Sequence, residues 1–364
     1  MAELSCGIVG LPNVGKSTLF NALTRKAAAA ANYPFCTIDP NVGIVDVEDP
    51  RLAILSKISG SKKIIPATMT FVDIAGLVEG ASQGAGLGNQ FLANIRETDA
   101  ILQVVRCFEN DDVIHVAGKV DPIDDIEVIN LELILADLQM VENILQKLEK
   151  QVKGKKELVP LFETLKKARD HLNQDQPLRA LQLNEEEKKH LLAYPFLTDK
   201  KTLYATNVSE SALPSMENEM VGKVRSYAQK EGGKVVPICA RLEEELTQLS
   251  EQEALEYLQT LGLKETGLNR LIKASFETLD LITFLTTGEM ETRAWTIKRG
   301  STAQEAAGKI HTDIQKGFIR AEVVSYEDFV ACNGRVKARE LGKARSEGKD
   351  YIVQDGDVIL FYHA

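Results

Sequence analysis

The sequence predicts an α/β fold with a mostly parallel sheet, interrupted by an antiparallel helical hairpin and followed by a small α+β domain. Apolar strand-like runs alternate with helical stretches at the start of the chain and again after residue 200, the pattern of a parallel sheet covered on both faces. Between these stretches, two apolar series advance by alternating steps of three and four, the spacing of a heptad seam. From about Asp280, short strand patterns and a tight turn replace both. The boundaries drawn on this basis are 1–130 with 201–279 for the α/β domain, 131–200 for the hairpin and 280–364 for the last domain.

The first element is Cys6-Gly7-Ile8-Val9, a short buried strand. Gly10-Leu11-Pro12-Asn13-Val14-Gly15-Lys16-Ser17 follows and matches the phosphate-binding pattern GxxxxGK[ST]. Thr18 to Leu23 then reads as the opening of a helix. Strand, glycine loop and helix is the context that the motif requires, and it makes a chance glycine loop a poor alternative. The glycines let backbone N–H groups turn inward around an anion, and the helix N-terminus adds partial positive charge. Asn13, Val14, Gly15, Lys16, Ser17 and Thr18 are therefore the candidate phosphate-binding residues. Lys16 reaches the outer phosphates and Ser17 offers its hydroxyl to Mg2+.

The next strand, Thr70-Phe71-Val72, delivers Asp73 at its end, in Asp73-Ile74-Ala75-Gly76. A carboxylate there can hold Mg2+ through water, and the Gly76 N–H can meet a γ-phosphate. DxxG alone is common; downstream of a complete phosphate loop it is specific. Between the two motifs, Pro34 to Pro40 offers Thr37 as a further hydroxyl ligand for the metal, with a proline-bounded surface turn as the alternative. Gly76 to Gln90 is glycine-rich, which predicts a mobile loop. Ile101 to Val105, Thr202 to Ala205 and Val235 to Ile238 complete the strands of this domain.

In the hairpin, Leu131, Ile134, Leu138, Val141, Leu145, Leu148 and Val152 form the first seam. Leu158, Leu161, Leu165, Ala168 and Leu172 form the second, after the turn-like Lys153-Gly154-Lys155-Lys156. A further helix starts at Asn184 with Glu187 as its reciprocal capping partner. In the last domain, 293–297, 321–324, 351–353 and 358–361 read as strands and 302–310 as a helix. Asp355-Gly356-Asp357 reads as the tight turn between the final two strands.

Composition bounds the function. The chain has 364 residues, enough for two or three domains, with 44% apolar residues and a formal charge of −10. That balance argues against a surface coated in basic charge and leaves local patches open. The five cysteines form no CxxC pair and read as reduced, buried thiols of a cytoplasmic protein. No signal-peptide pattern and no bilayer-spanning apolar run is present, so no membrane association is expected.

Asp73 to Leu77, running through Gly86-Leu87-Gly88, is similar to the switch segment of Obg-type P-loop NTPases. Together with Asn32 to Asn41 and the inserted hairpin, the chain resembles the YchF subgroup, the Obg-like ATPases, over essentially its whole length. Arg293-Ala294-Trp295-Thr296 through Gly317 to Ala321 resembles a TGS domain, which implies a ubiquitin-like β-grasp fold for residues 280–364.

The resemblance also implies an ATPase. Guanine-specific relatives end a strand with Asn-Lys-x-Asp, whose Asp accepts from guanine N1–H and the exocyclic amine. Here the strand ends in Asn207-Val208-Ser209-Glu210. Lys is replaced by Val208 and Asp by the longer Glu210, so the expected acceptor and the Lys stem over the base are missing. In the family this goes with ATP preference over GTP. Asn207 remains able to offer its amide to adenine, or alternatively caps the next turn, and Ala240 lies on the neighbouring base-site loop.

Hydrolysis needs a group that Leu77 cannot supply, because many GTPases place a water-orienting Gln there. Lys16 and Gly76 stabilise phosphate charge, and His115 is a candidate to orient water, with a loop histidine satisfied by a neighbouring Asp as the alternative. In potassium-activated relatives an Asn at the position of Asn13 helps hold K+ against the phosphates, so K+ is a second candidate.

Two basic runs suggest partners: Lys147, Lys150, Lys153, Lys155 and Lys156 around the hairpin turn, and Arg335, Lys337, Arg339, Lys343, Arg345 and Lys349 in the last domain. For each run by itself a solvated charged face is the more common outcome. The resemblance implies that they contact the ribosome, with its large subunit favoured, or structured RNA, through the hairpin and the TGS domain. No base-reading motif is visible, so no sequence-specific DNA binding is expected. Two alternatives stay open at this point: a conventional GTP-specific Obg-type switch, and a nucleotide-sensing adaptor whose turnover is incidental.

Overall fold

The computed structural model describes residues 4–30, 41–75, 86–109 and 120–364. Four of the residues singled out above, Thr37, Gly76, Leu77 and His115, lie outside the described residues.

The elements follow in chain order. The first are β1 (Ser5–Val9), α1 (Lys16–Ala30), β2 (Val42–Val47), α2 (Pro50–Ser59), β3 (Ile64–Ile65), β4 (Ala67–Asp73), α3 (Gly86–Arg96) and β5 (Ala100–Arg106). Next come α4 (Pro122–Val152), α5 (Val159–Leu172), α6 (Glu185–Leu192), β6 (Lys201–Asn207), α7 (Glu219–Glu231), β7 (Lys234–Ile238), α8 (Ala240–Leu246), α9 (Glu251–Thr260) and α10 (Gly267–Thr278). The last are β8 (Leu281–Thr287), β9 (Thr292–Lys298), α11 (Ala303–Ile310), α12 (Thr312–Lys316), β10 (Phe318–Ser325), α13 (Tyr326–Ala331), α14 (Arg335–Glu340), β11 (Arg345–Glu347) and β12 (Asp357–His363).

The chain divides into two compact units, residues 1–43 with 70–275 and residues 44–69 with 276–364. The first is built on a sheet of order β2-β4-β1-β5-β6-β7. The pairings β1–β4, β1–β5, β5–β6 and β6–β7 are all parallel, as expected from strands separated by helices. Every residue of β5 is buried, Gln103 and Arg106 included, so the strand shows no apolar–polar alternation. Four cysteines, Cys6, Cys107, Cys239 and Cys332, are free and buried, and burial pushes the Cys6 and Cys107 thiols up to about 12, which keeps them protonated.

The hairpin grows from this sheet rather than standing apart from it. α4 begins at Pro122, capped by Asp121, whose carboxylate accepts from the N–H groups of Ile123 and Asp124. Its first turns carry Ile126, Ile129 and Leu133 into the core of the α/β unit. Leu131, expected in the seam, is instead 42% exposed. The α4–α5 core starts at Ile134 and continues through Val141, Leu145 and Leu148 against Leu165, Ala168 and Leu172. The heptad register fails at its start because that part of α4 packs on the sheet, not on α5. Asp137 fixes the root: its buried carboxylate accepts from the N–H of Leu197 at 2.9 Å and from the N–H and hydroxyl of Thr198, each at 2.7 Å. A second buried group links Asn130 of α4, Arg179, and Glu231 of α7, with Arg179 Nη2 2.9 Å from Asn130 Oδ1 and 3.1 Å from Glu231 Oε2. The predicted helix start at Asn184 is present, with both halves of the capping box formed with Glu187.

The second unit carries a sheet of order β11-β10-β12-β8-β9-β3. The central β12–β8 pair is parallel and is flanked by the antiparallel pairs β8–β9 and β10–β12, the β-grasp arrangement. α11, opened by the Thr302–Glu305 capping box, lays Ala303 and Ala306 against Ile282, Phe284, Val323 and Ile359. Residues 351–353 do not form the expected strand of a terminal hairpin; Ile352 makes only an isolated bridge to Thr302.

Residues 44–69 depart from the expected boundaries, since they belong with the second unit. β3 pairs with β9, and Arg51 on α2 joins Asp355 at 2.9 Å and Thr283 Oγ1 at 3.1 Å. Ser61 donates to the Gly288 carbonyl at 2.6 Å.

Candidate nucleotide site

The phosphate loop joins β1 to α1, and its geometry explains its glycines. A Cβ on Gly10 would lie 3.1 Å from the Val104 carbonyl oxygen of β5. Gly15 adopts φ +96°, and a Cβ there would sit 2.2 Å from Asn207 Nδ2. Both positions need the absence of a side chain. Asn13 takes the left-handed conformation, φ 65°, one residue before the fully buried Val14. The Leu19 N–H donates to the Gly15 carbonyl at 3.0 Å, so α1 winds directly out of the loop.

Lys16 forms an ion pair and hydrogen bond with Asp73. Asp73 is held at the end of β4 from both sides. Its N–H donates to the Asn41 carbonyl at 2.8 Å, and the next N–H, from Ile74, donates to the Ile8 carbonyl at 3.1 Å. The sheet thus brings together the lysine and carboxylate that the sequence placed 57 residues apart. Ser17 is exposed at the start of α1 and Thr18 is half-buried. The hydroxyl of Ser17 and the carboxylate of Asp73 are hard oxygen donors, the chemistry that a magnesium ion takes.

At the base side the residues named from the sequence also make contacts within the protein. Asn207 uses its amide within the protein: Nδ2 donates to the Val14 carbonyl at 2.9 Å, and Oδ1 accepts from the Ala240 N–H at 3.0 Å. It ties the phosphate loop after β1 to the loop after β7. Val208 is 2% exposed and packs among Val105, Cys107, Met216 and Cys239, so its side chain is core and only its backbone is available to a base. Its N–H donates to the Ile238 carbonyl at 2.8 Å. Glu210 is exposed and paired with Arg241, Oε1 to Nε 3.2 Å. Ala240 is buried at the first position of α8.

Two arginines here escaped the sequence reading. Arg106, at the end of β5 and in register with Asn207, is 1% exposed. Its Nε donates to the Phe108 carbonyl at 3.1 Å and its guanidinium lies 4.7 Å from the Phe108 ring centroid. Arg241 follows Ala240 directly. The signal available for both was position alone, since Arg106 ends the central strand β5 and Arg241 stands three residues past the end of β7, on the side where parallel sheets place their ligands.

A protein of Haemophilus influenzae named as a ribosome-binding ATPase, YchF, is 56% identical to this chain over 98% of both. The chain belongs to the YchF family. The YchF relative from Bacillus subtilis, named in the same words, is 52% identical, again over 98% of both chains. The solved structure of the Schizosaccharomyces pombe YchF GTPase is 38% identical, covers 99% of this chain with 97% of its own, and superposes with a TM-score of 0.89. A family model described as a 50S ribosome-binding GTPase matches residues 5–155, and the YchF GTPase C-terminal model, described as of unknown function, matches residues 281–364. Among the described residues no helix is long and apolar enough to cross a membrane.

Proposed function

We propose that this protein hydrolyses ATP, in preference to GTP, to ADP and phosphate, and that nucleotide state governs its association with the ribosome. The observation that carries the nucleotide reading is the phosphate loop itself, folded around Gly10 and Gly15 with Lys16 and Asp73 in contact. The relatives from Haemophilus influenzae and Bacillus subtilis carry both ATPase and ribosome binding in their names.

In this reading the backbone N–H groups from Asn13 to Thr18 hold the phosphates, and Lys16 turns from Asp73 to neutralise their outer oxygens. Ser17, Asp73 and Thr37 are the residues that would hold Mg2+, which supplies charge neutralisation at the transferring phosphoryl group when bound. The Gly76 N–H meets the γ-phosphate. Asn207 keeps Val14 and Ala240 in place and has a second amide N–H to offer the base. His115 orients the attacking water, and Asn13 is the residue that would hold K+, which would supply a second positive charge when bound.

ATP preference rests on what the base side lacks. The buried Val208 gives no lysine stem to cover a guanine, and the Glu210 carboxylate is engaged by Arg241. A GTP-specific switch is the second reading, and the GTPase wording of the Schizosaccharomyces pombe structure favours it. Competition of unlabelled ATP and GTP against a labelled nucleotide, paired with a turnover assay, decides between them. ATP binds more tightly in the wild type, and Lys16→Ala and Ser17→Ala abolish Mg2+-dependent turnover with an unchanged thermal melt. In the same assay His115→Ala lowers turnover more than ATP affinity, by roughly tenfold to a hundredfold. Tighter GTP binding would replace this reading with the GTPase switch; wild-type turnover in Lys16→Ala would remove the site.

A further inference from the structure

We propose that Arg241 is a positioning residue for base selection, which restrains the Glu210 carboxylate and so weakens the hold of the site on guanine. The inference rests on the nucleotide reading above and deepens it by giving Arg241, there only the partner of Glu210, a role in selecting the base. Glu210 stands three positions past Asn207, where a guanine site carries its acceptor carboxylate. Arg241 comes from a different loop, one residue past Ala240.

The fold brings the two to one rim. Asn207 Oδ1 accepts from the Ala240 N–H at 3.0 Å, and the Val208 N–H donates to the Ile238 carbonyl at 2.8 Å, so the ends of β6 and β7 are laced together. Beyond this lacing, Arg241 Nε approaches Glu210 Oε1 at 3.2 Å. Glu245, one turn further along α8, lies 3.5 Å from the same nitrogen. Arg241 thus has a carboxylate partner on its own helix as well as Glu210.

Guanine presents two donors, N1–H and the exocyclic amine, to a carboxylate at this place, and binding it well requires both oxygens of that carboxylate to be free to turn toward the base. An oxygen shared with a guanidinium is turned toward α8. Adenine has no N1–H to donate, so it loses nothing by this restraint. The guanidinium also cancels the negative charge that would attract guanine's donors. The side chains are 78% and 51% exposed, so water screens the pair and the effect on affinity is a few-fold change, not orders of magnitude.

The test is a double-mutant cycle read as the ATP and GTP affinities of the purified full chain with Mg2+, by competition against a labelled ATP. Arg241→Ala raises GTP affinity by about threefold to fivefold, the upper range for an exposed ion pair, and changes ATP affinity less than twofold. Arg241→Lys, which keeps a cation in reach of both carboxylates, stays close to the wild type. In a Glu210→Gln background, Arg241→Ala alters neither nucleotide. An equal change for ATP and GTP in Arg241→Ala, or a GTP gain that persists without Glu210, overturns the inference. So does an unchanged GTP affinity, which leaves the ATPase reading standing. A wild-type protein that binds neither nucleotide removes the ATPase reading, and this inference with it.

Discussion

The hairpin tip and the C-terminal basic run look alike in sequence and differ in the fold. At the tip, Lys147, Lys150, Lys153, Lys155 and Lys156 are all exposed, and none makes an ion pair among the described residues. In the second unit most of the charge is answered internally. Arg335 and Arg339 both bind the buried Glu322, at 3.0 and 2.8 Å. Lys343 lies 3.4 Å from Asp328, and Arg345 lies 3.8 Å from both Glu347 and Asp357. Lys337 and Lys349 remain. Three of these acids, Glu322, Asp328 and Asp357, lie outside the basic run, so counting charge within the run overstates what a partner can use. Charge available for binding is charge that the fold has not already neutralised, and by that measure the tip is the stronger candidate for a phosphate-rich partner.

The largest expected effect follows at the tip. Lys150→Glu, Lys153→Glu and Lys155→Glu together should weaken ribosome association by about a hundredfold at physiological salt. The slope of log affinity against log salt should flatten by roughly one for each lysine removed. Nucleotide affinity and the thermal melt should hold, because the α4–α5 core is made by Val141, Leu145, Leu148, Leu165, Ala168 and Leu172, none of which is touched. Sedimentation with ribosomes across a salt series measures it. An unchanged slope would place the contact elsewhere and break the comparison.

In the second unit the expected loss is of stability. Burial disfavours the Glu322 carboxylate, but hydrogen bonds and charge from Arg339 and Arg335 outweigh it and hold the group below its usual value of 4.5. A carboxylate depressed on folding stabilises the fold above its unfolded pKa, and this contribution disappears as pH falls through the lower folded value. Glu322→Gln leaves the half-buried Arg335 without its counter-charge and should cost about 2 kcal/mol. The chain has a single tryptophan, Trp295, in this unit, stacked on Phe284 and capped by Arg293 at 4.0 Å. Its fluorescence reports unfolding of the unit directly. The wild type should lose stability below about pH 4.5, and the variant should lose less over the same range. A variant as stable as the wild type at neutral pH would show that these arginines are held by something other than Glu322.

What was legible in the sequence was local. Gly10 to Ser17 between a strand and a helix, Asp73 at a strand end, the Asn184–Glu187 capping box and most of the heptad series each carry their cause within a few residues. What was illegible depends on partners far along the chain. Residues 44–69 read as part of the α/β domain because β3 is two residues long and Arg51 finds Asp355 across 304 positions. Leu131 keeps the heptad spacing yet faces out, because the sheet claims the neighbouring faces of α4. Asn207 carries the right residue type for a base contact, and that its amide also ties Val14 to Ala240 is something no pattern around it announces. The same holds for Arg241 and for the acids that neutralise the C-terminal run.

The smallest effect belongs to the two lysines that this neutralisation leaves over. Lys337 lies on α14 and Lys349 precedes the isolated bridge at Ile352, and neither makes an ion pair among the described residues. Each is exposed and free to meet a phosphate, so a contribution from them is not zero. They sit, however, in a surface whose other cations are matched by acids, so the field they add to is weak and is screened within about 8 Å at physiological salt. Lys337→Glu with Lys349→Glu should therefore change ribosome affinity by about twofold and leave the salt slope nearly as in the wild type. The measurement is the same salt series used for the tip. A loss as large as that of the tip variant would mean that two lysines here match the three changed at the tip, and that the partner reads shape at this surface instead of net available charge.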